Sequence, residues 1–221
     1  MKKFIFFASI VMCLFLSTNA SAQVTNGSFE AGTCNGTFTT VLAGQTNITG
    51  WTVGGHSVDY ICSYWQASDG NRSIDLNGNG TGSLSQTIAT IPGVTYGVYF
   101  DMSGNPDGPP DERLMAVSAT GTASEVFSYT ADNNTHADMQ WASESYQFAA
   151  TSSSTLLSFV TNTLGFYGPA LDNVEVIALF GQVCHRNNGK APFKTLTIDP
   201  ESVPDHLGHG DQPGPCPTPE S

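Results

Sequence analysis

The chain has 221 residues, 39% hydrophobic and 12% charged, with a formal net charge of −12. That apolar content is enough for a folded core, and the length suits one large domain plus a small appendage. The acidity disfavours nucleic acid and anionic membranes as partners.

In chain order, the first signal is a leader. Lys2 and Lys3 precede an apolar run from Phe4 to Leu16, and Ala20-Ser21-Ala22 fits a small-residue cleavage rule. The apolar run is shorter than the roughly 20 residues a helical span needs. The expectation is a signal peptide over 1–22, no membrane span after its removal, and a product secreted or held at a bacterial cell surface. Loss of Lys2 and Lys3 takes the charge from −12 to −14.

Beyond the leader the sequence alternates with a period of two and shows no sustained helical stripe. Ile74 and Leu76 alternate with Ser73, Asp75 and Asn77; Tyr96, Val98, Phe100 and Met102 share one strand face. Met115 and Val117, Tyr146 and Phe148, and Val174, Val176 and Ala178 repeat the pattern. Turn chemistry separates these runs at Asn77-Gly78-Asn79-Gly80, Pro92-Gly93 and Asn105 to Pro110. About ten short strands of this kind predict an all-β sandwich or barrel.

After Phe180 the composition turns to Pro, His, Asn and Gly. A boundary is expected there, with a sandwich over 23–180 and a small C-terminal module over 181–221. Four cysteines follow the leader, and an even number in an exported chain implies two disulfides with three possible connectivities. Cys34–Cys62 and Cys184–Cys216 are favoured because each pair lies within one segment.

Three blocks, Asn26 to Glu30, Asp59 to Gly78 and Gly168 to Val176, resemble the bacterial choice-of-anchor C proteins and a related plant cell-wall family. That resemblance covers about 23–179. It implies a galactose-binding-like jelly roll of the carbohydrate-binding-module kind, with first and last strands side by side. On that adjacency Glu30 and Asp172 are brought together as calcium ligands, since calcium takes six to eight oxygens. Asp69 and Asp75 are weaker candidates. The tail resembles a short Cys/His-bearing module found on assorted exported bacterial proteins.

The central block is the expected sugar contact. A sugar offers apolar C–H faces and a rim of hydroxyls, so its site needs aromatic plates beside planar polar groups. Tyr60, Tyr64 and Trp65 supply plates; Asp59, Gln66, Arg72 and Asp75 supply donors and acceptors. Core packing of Trp65, and an ion pair of Arg72 with Asp59 or Asp75, are the competing readings. The loop from Asp101 to Gly108 is a second polar patch, read as a rigid turn or a binding loop. In the tail, His185, His206, His209 and Asp211 form a possible zinc or copper set.

No nucleophile elbow, zinc helix or phosphate loop is present, and no carboxylate pair stands out for glycoside hydrolysis. The sequence therefore predicts a non-catalytic, calcium-stabilised glycan-binding protein. A surface protein that binds another extracellular protein, or a small glycoside hydrolase, are the alternatives.

Overall fold

The computed structural model describes residues 24–186 and 193–217. The leader expected over 1–22 lies outside the described residues. Among the described residues, thirteen strands carry the fold: β1 (Phe38–Leu42), β2 (Thr52–Gly55), β3 (Ser57–Ile61), β4 (Ser73–Asp75), β5 (Gly82–Ala89), β6 (Val94–Gly104), β7 (Glu112–Ala119), β8 (Glu125–Thr130), β9 (Ala142–Ala149), β10 (Ser154–Thr161), β11 (Pro169–His185), β12 (Lys194–Ile198) and β13 (Gln212–Pro213). One sheet runs β1-β3-β4-β11-β6-β9, and β12 and β13 also pair with β11; the other runs β2-β5-β10-β7-β8. The two sheets form a jelly-roll β-sandwich, and every strand pairing among the described residues is antiparallel. No helix among the described residues is long and apolar enough to cross a membrane.

The period-two pattern explains the core. Tyr96, Val98, Phe100 and Met102 of β6 all point between the sheets and are buried. Rings from both sheets meet there: Phe100 lies 5.5 Å from Phe159 and 5.1 Å from Phe127, both edge-on, and Trp51 lies 6.1 Å from Phe159. Such tilted and edge-to-face contacts suit the ring quadrupoles better than a flat stack.

The outer face of the larger sheet is also covered, by the loops around 62–72 and 131–141. They form a second apolar cluster of Ile61, Trp65, Met139 and Ala170, flanked by Tyr64 and Trp141. Gln66 fastens the two loops together: its NH donates to His136 O (2.8 Å), its Oε1 accepts from Met139 N (3.1 Å), and its carbonyl accepts from Trp141 Nε1 (3.0 Å).

Asn26 to Glu30 does adjoin the last sandwich strand, but through one main-chain bond from Val174 N to Gly27 O (2.9 Å), not as a paired strand. Asn26 and Phe29 take left-handed φ values of 58°, which break the extended run.

The boundary expected at 180/181 falls inside β11, which continues to His185 and pairs with β12 and β13. The tail also holds a short helix, α1 (Val203–Gly208), that the period-two reading did not anticipate. Proline at its first turn, where the missing N–H costs no hydrogen bond, is the local signal for it. Val203 is fully buried in the main core cluster, and Gly181 of β11 leaves room for its Cγ2. Cys184–Cys216 and Cys34–Cys62 are both disulfides.

Candidate functional site

The strand registers place a row of side chains across the outer face of the larger sheet. Thr40 of β1 sits opposite Asp59 of β3, Asp59 opposite Asp75 of β4, Asp75 opposite Ala170 of β11, and Ala170 opposite Ser103 of β6. At the β1-β3-β4 end this row floors an open cleft of about 350 Å³. Its floor is Thr40, Asp59, Ile61 and Asp75. Its walls are Phe38, Tyr64, Trp65, Gly78, Asn79, Asn105, Asp107, Phe166 and Tyr167.

The aromatic wall is partly free. Phe166 is 62% exposed and Phe38 40%, while Tyr64 packs edge-on to Phe38 at 5.3 Å and lies 4.5 Å from the His136 ring. Asp107 fixes this corner. Its Oδ2 accepts from Tyr64 Oη (3.0 Å), and its Oδ1 lies 2.6 Å from His136 Nε2. The hydrogen bond to Asp107 raises the Tyr64 pKa, keeping its phenol protonated as a donor.

The floor is unusually rich in carboxyl groups. Asp59 accepts from Thr40 Oγ1 at 2.5 Å, and burial raises its pKa against that bond. Asp75 is fully buried; it accepts from Asn105 Nδ2 (2.7 Å), Asn77 N (2.8 Å) and Gly168 N (3.1 Å). Burial pushes it up to about 8, with Asp59 adding to the rise and the three donors opposing it. A Cβ on Gly168 would sit 2.5 Å from both Asp75 Oδ1 and Asn77 Oδ1, so only glycine fits beside this carboxyl.

Of the expected sugar contacts, Asp59, Tyr64, Trp65 and Asp75 line the cleft; Tyr60, Gln66 and Arg72 do not. Tyr60 faces the opposite side of its strand, is buried in the core and donates to Phe29 O (2.5 Å). Gln66 is the fastener between the two covering loops. Arg72 does not pair with Asp59 or Asp75: its Nη1 donates to Tyr60 Oη (2.7 Å) and Gly32 O (3.1 Å). Trp65 is 4% exposed and donates Nε1–H to Ser73 Oγ (2.8 Å), so it is chiefly packing, with one edge toward the cleft. Phe38, Thr40, Phe166 and Tyr167 were not anticipated. The available signals were the alternation of Phe38 with Thr39 and Thr40, and an aromatic pair between Gly165 and Gly168.

Glu30 and Asp172 act on one loop. Glu30 Oε1 accepts from Asn71 N and Arg72 N, both at 2.7 Å; Asp172 Oδ2 accepts from Ser68 N (2.8 Å) and Asp69 N (3.0 Å). A bulge between Asp172 and Glu175, with Asn173 at φ 51°, aims Asp172 at this loop. Gly70, at φ 65°, would bring a Cβ to 2.5 Å from Glu30 Oε1. Burial pushes Asp172 up to about 7, against its amide donors, and the charge of Asp69 adds to the rise. Glu30 and Asp172 are hard oxygen donors of the kind calcium takes, but these oxygens accept from loop amides, and among the described residues the two form no group of three metal-ligating side chains. None of the hydrogen-bond partners of Asp172 is a cation.

In the tail, His185, His206 and Asp211 come together, each offering a ligand atom within 4.8 Å of the others. His209 is exposed and outside this group. With Cys184 and Cys216 bonded to each other, a thiolate set is excluded.

Residues 22–177 match the model of the family described as "Protein of unknown function (DUF642)". The chain belongs to this family. Halomucin of Haloquadratum walsbyi (strain DSM 16790 / HBSQ001) is 30% identical over 161 residues, which is 70% of this chain and 2% of that protein. The chain thus spans about 2% of the length of this curated relative. Among solved structures, TmCBM61 in complex with beta-1,4-galactotriose is similar with a TM-score of 0.48 at 16% identity, covering 72% of this chain and 99% of that one. CBM35 from Paenibacillus barcinonensis is similar with a TM-score of 0.43 at 22% identity, covering 65% and 100%. The family match ends at 177, within β11, so the DUF642 region and the tail share that strand.

Proposed function

We propose that this DUF642 member is a secreted, non-catalytic protein that binds a glycan in the cleft on the outer face of its larger sheet. The observation that carries the reading is the pairing of exposed Phe38 and Phe166 and half-buried Tyr64 with a floor of oriented oxygen and amide groups in one 350 Å³ cleft. This is the combination a sugar needs, an apolar face to stack on and a polar edge to bond to. The two disulfides support an oxidising destination such as the cell exterior.

The lining has no Lys or Arg and three aspartates, Asp59, Asp75 and Asp107. The preferred glycan is therefore neutral, because a uronate in this cleft would find no cation to pair with. We further propose that calcium binds at the Glu30–Asp172 brace, taking loop carbonyls as further ligands and holding the 68–72 loop.

A glycan array on the oxidised protein at millimolar-range calcium tests the reading. Neutral polysaccharides are expected to bind, and Tyr64→Ala to weaken binding at least tenfold, about 1.4 kcal/mol. Folded protein that binds no polysaccharide would count against the proposal. For calcium, chelation is expected to lower the melting temperature by removing a native-state ligand. Asp172→Asn should abolish that response, and an unchanged melting curve would remove calcium from the account.

The second reading, a glycoside hydrolase, has one observation in its favour: Asp59 and Asp75 are cross-strand neighbours with raised pKa values. Against it, all of Asp75 is buried and held by three internal donors. Release of sugar from a bound polysaccharide, lost in Asp59→Asn, would favour the hydrolase.

A further inference from the structure

We propose that the tail is a binding site for a divalent transition ion, zinc or copper, held by His185, His206 and Asp211. The argument is independent of the cleft. Asp211 Oδ2 stands at the centre of the group, 2.9 Å from His185 Nδ1 and 2.8 Å from His206 Nδ1. Bonds of about 2.0 Å from a tetrahedral ion put neighbouring ligand atoms about 3.3 Å apart. An opening of roughly half an ångström would admit the ion between these atoms. Its binding would move each Nδ1 proton to Nε2 or to solvent, as imidazole ligation requires.

Three features make this a built site. The first is that the ligands come from three elements that are locked together. His185 ends β11 beside the Cys184–Cys216 disulfide, and His206 lies on α1, which Val203 anchors in the core. Asp211 directly precedes β13, whose Gln212 pairs with Cys184. The helix end closes onto the same point, since Asp211 N donates to His206 O (3.1 Å).

The second feature is the division of labour on the carboxylate. Asp211 Oδ1 is occupied by Arg186 N–H at 2.8 Å, which leaves Oδ2 for the ion and fixes its direction. Such outer partners are what orient ligating groups in metal sites. The third is access. The Asp211 side chain is 2% exposed while those of His185 and His206 are 42% and 28% exposed, so the carboxylate forms the base and the imidazole edges the mouth. Two imidazoles and one carboxylate suit zinc and copper and leave at least one position for water. Copper is expected to bind more tightly than zinc, following the general order for nitrogen and oxygen ligands.

The test uses the full oxidised chain, with excess calcium present to occupy hard-oxygen sites. Zinc and copper are each titrated in competition with a chromophoric chelator. One equivalent is expected to bind, His185→Gln and His206→Gln each to weaken it at least tenfold, and His209→Gln and His136→Gln to leave it unchanged. His206→Gln is the decisive variant because Asp211→Asn also removes the clamp that seats the tail. Copper electron paramagnetic resonance on the wild type should show two nitrogen ligands, and one in His206→Gln. Absence of saturable binding would overturn the proposal. So would unchanged affinity in His206→Gln, or loss of binding in His136→Gln, which would move the ion to the His136–Asp107 pair. A tail whose histidines and aspartate serve only as a hydrogen-bonded clamp would give the first of these results.

Discussion

Asp75 under the cleft and Asp211 in the tail are both buried, yet their surroundings push them in opposite directions. Asp75 is ringed by neutral amide donors and a second carboxyl, and burial raises it to about 8. Asp211 is ringed by two imidazoles and an amide, and these hold it well below the usual carboxylate range. The first therefore sits in a floor that is easiest to assemble with a proton present. The second sits in a clamp that needs its charge. The cleft rests chiefly on the packing of its covering loops, with Cys34–Cys62 at its edge, whereas the tail adds to the anchor of Val203 its own cross-link and a polar knot.

The largest test removes the packing. Trp65→Ala is predicted to cost about 3–5 kcal/mol by leaving a cavity in the outer cluster, read from the denaturant midpoint, and to abolish glycan binding with it. A small loss would mean that the covering loops stand without the ring. The matching change in the tail, Cys184→Ser with Cys216→Ser, is predicted to cost about 3.7 kcal/mol on loop-closure grounds for a separation of 32 residues. Hydrogen exchange should show protection lost on β12 and β13 first. If the sandwich strands lose protection equally, the two regions unfold as one and the contrast fails.

The pH dependence should separate the two aspartates. A carboxyl whose pKa is raised in the folded state binds its proton more tightly there, so its contribution is present near pH 4 and is lost as pH rises through the folded value. For Asp172 and Asp75 that loss runs from roughly pH 4, the ordinary carboxylate value, up to about 7 and about 8. Calcium-free protein is thus predicted to melt several degrees lower at pH 8 than at pH 5.5, and Asp75→Asn to flatten part of the slope. Asp211 runs the other way: its stabilisation is present above the ordinary carboxylate range and lost on acidification. A melting profile that rises from pH 5.5 to 8 would show that the buried carboxyls find compensating cations. The smallest expected effect is Phe166→Ala, within about 0.5 kcal/mol on stability because the ring is exposed. It should still weaken glycan binding several-fold, which would isolate stacking from folding.

The strands were legible because alternation at Tyr96, Val98, Phe100 and Met102 has a single explanation, burial on one face. The site was legible only in part for the same reason. Asp59 and Tyr60 are adjacent in a strand, so they point to opposite faces, and treating their block as one surface placed Tyr60 and Arg72 in the cleft. Phe166 and Tyr167 sit in a loop without periodicity, and only the register of β1, β3 and β4 shows which side chains they approach. His209 follows His206 by three residues, a helical neighbour spacing. The helix ends at Gly208, however, and His209 turns to solvent. The tail's dependence on β11 was hidden because a change in composition marks a change in surface chemistry, while a strand can run straight through it.

The position of β11 also governs when the fold can close. It lies between β4 and β6 in the larger sheet, although it follows ten other strands along the chain. Until residues 169–185 are available, β1-β3-β4 and β6-β9 are two fragments with open edges and no bridge. A polypeptide made or threaded N-terminus first therefore stays unable to complete this sheet until nearly all of it has passed. Loop closure over such separations makes that last step slow. Were the chain exported in extended form, as proposed, late closure would keep it threadable up to the moment it emerged.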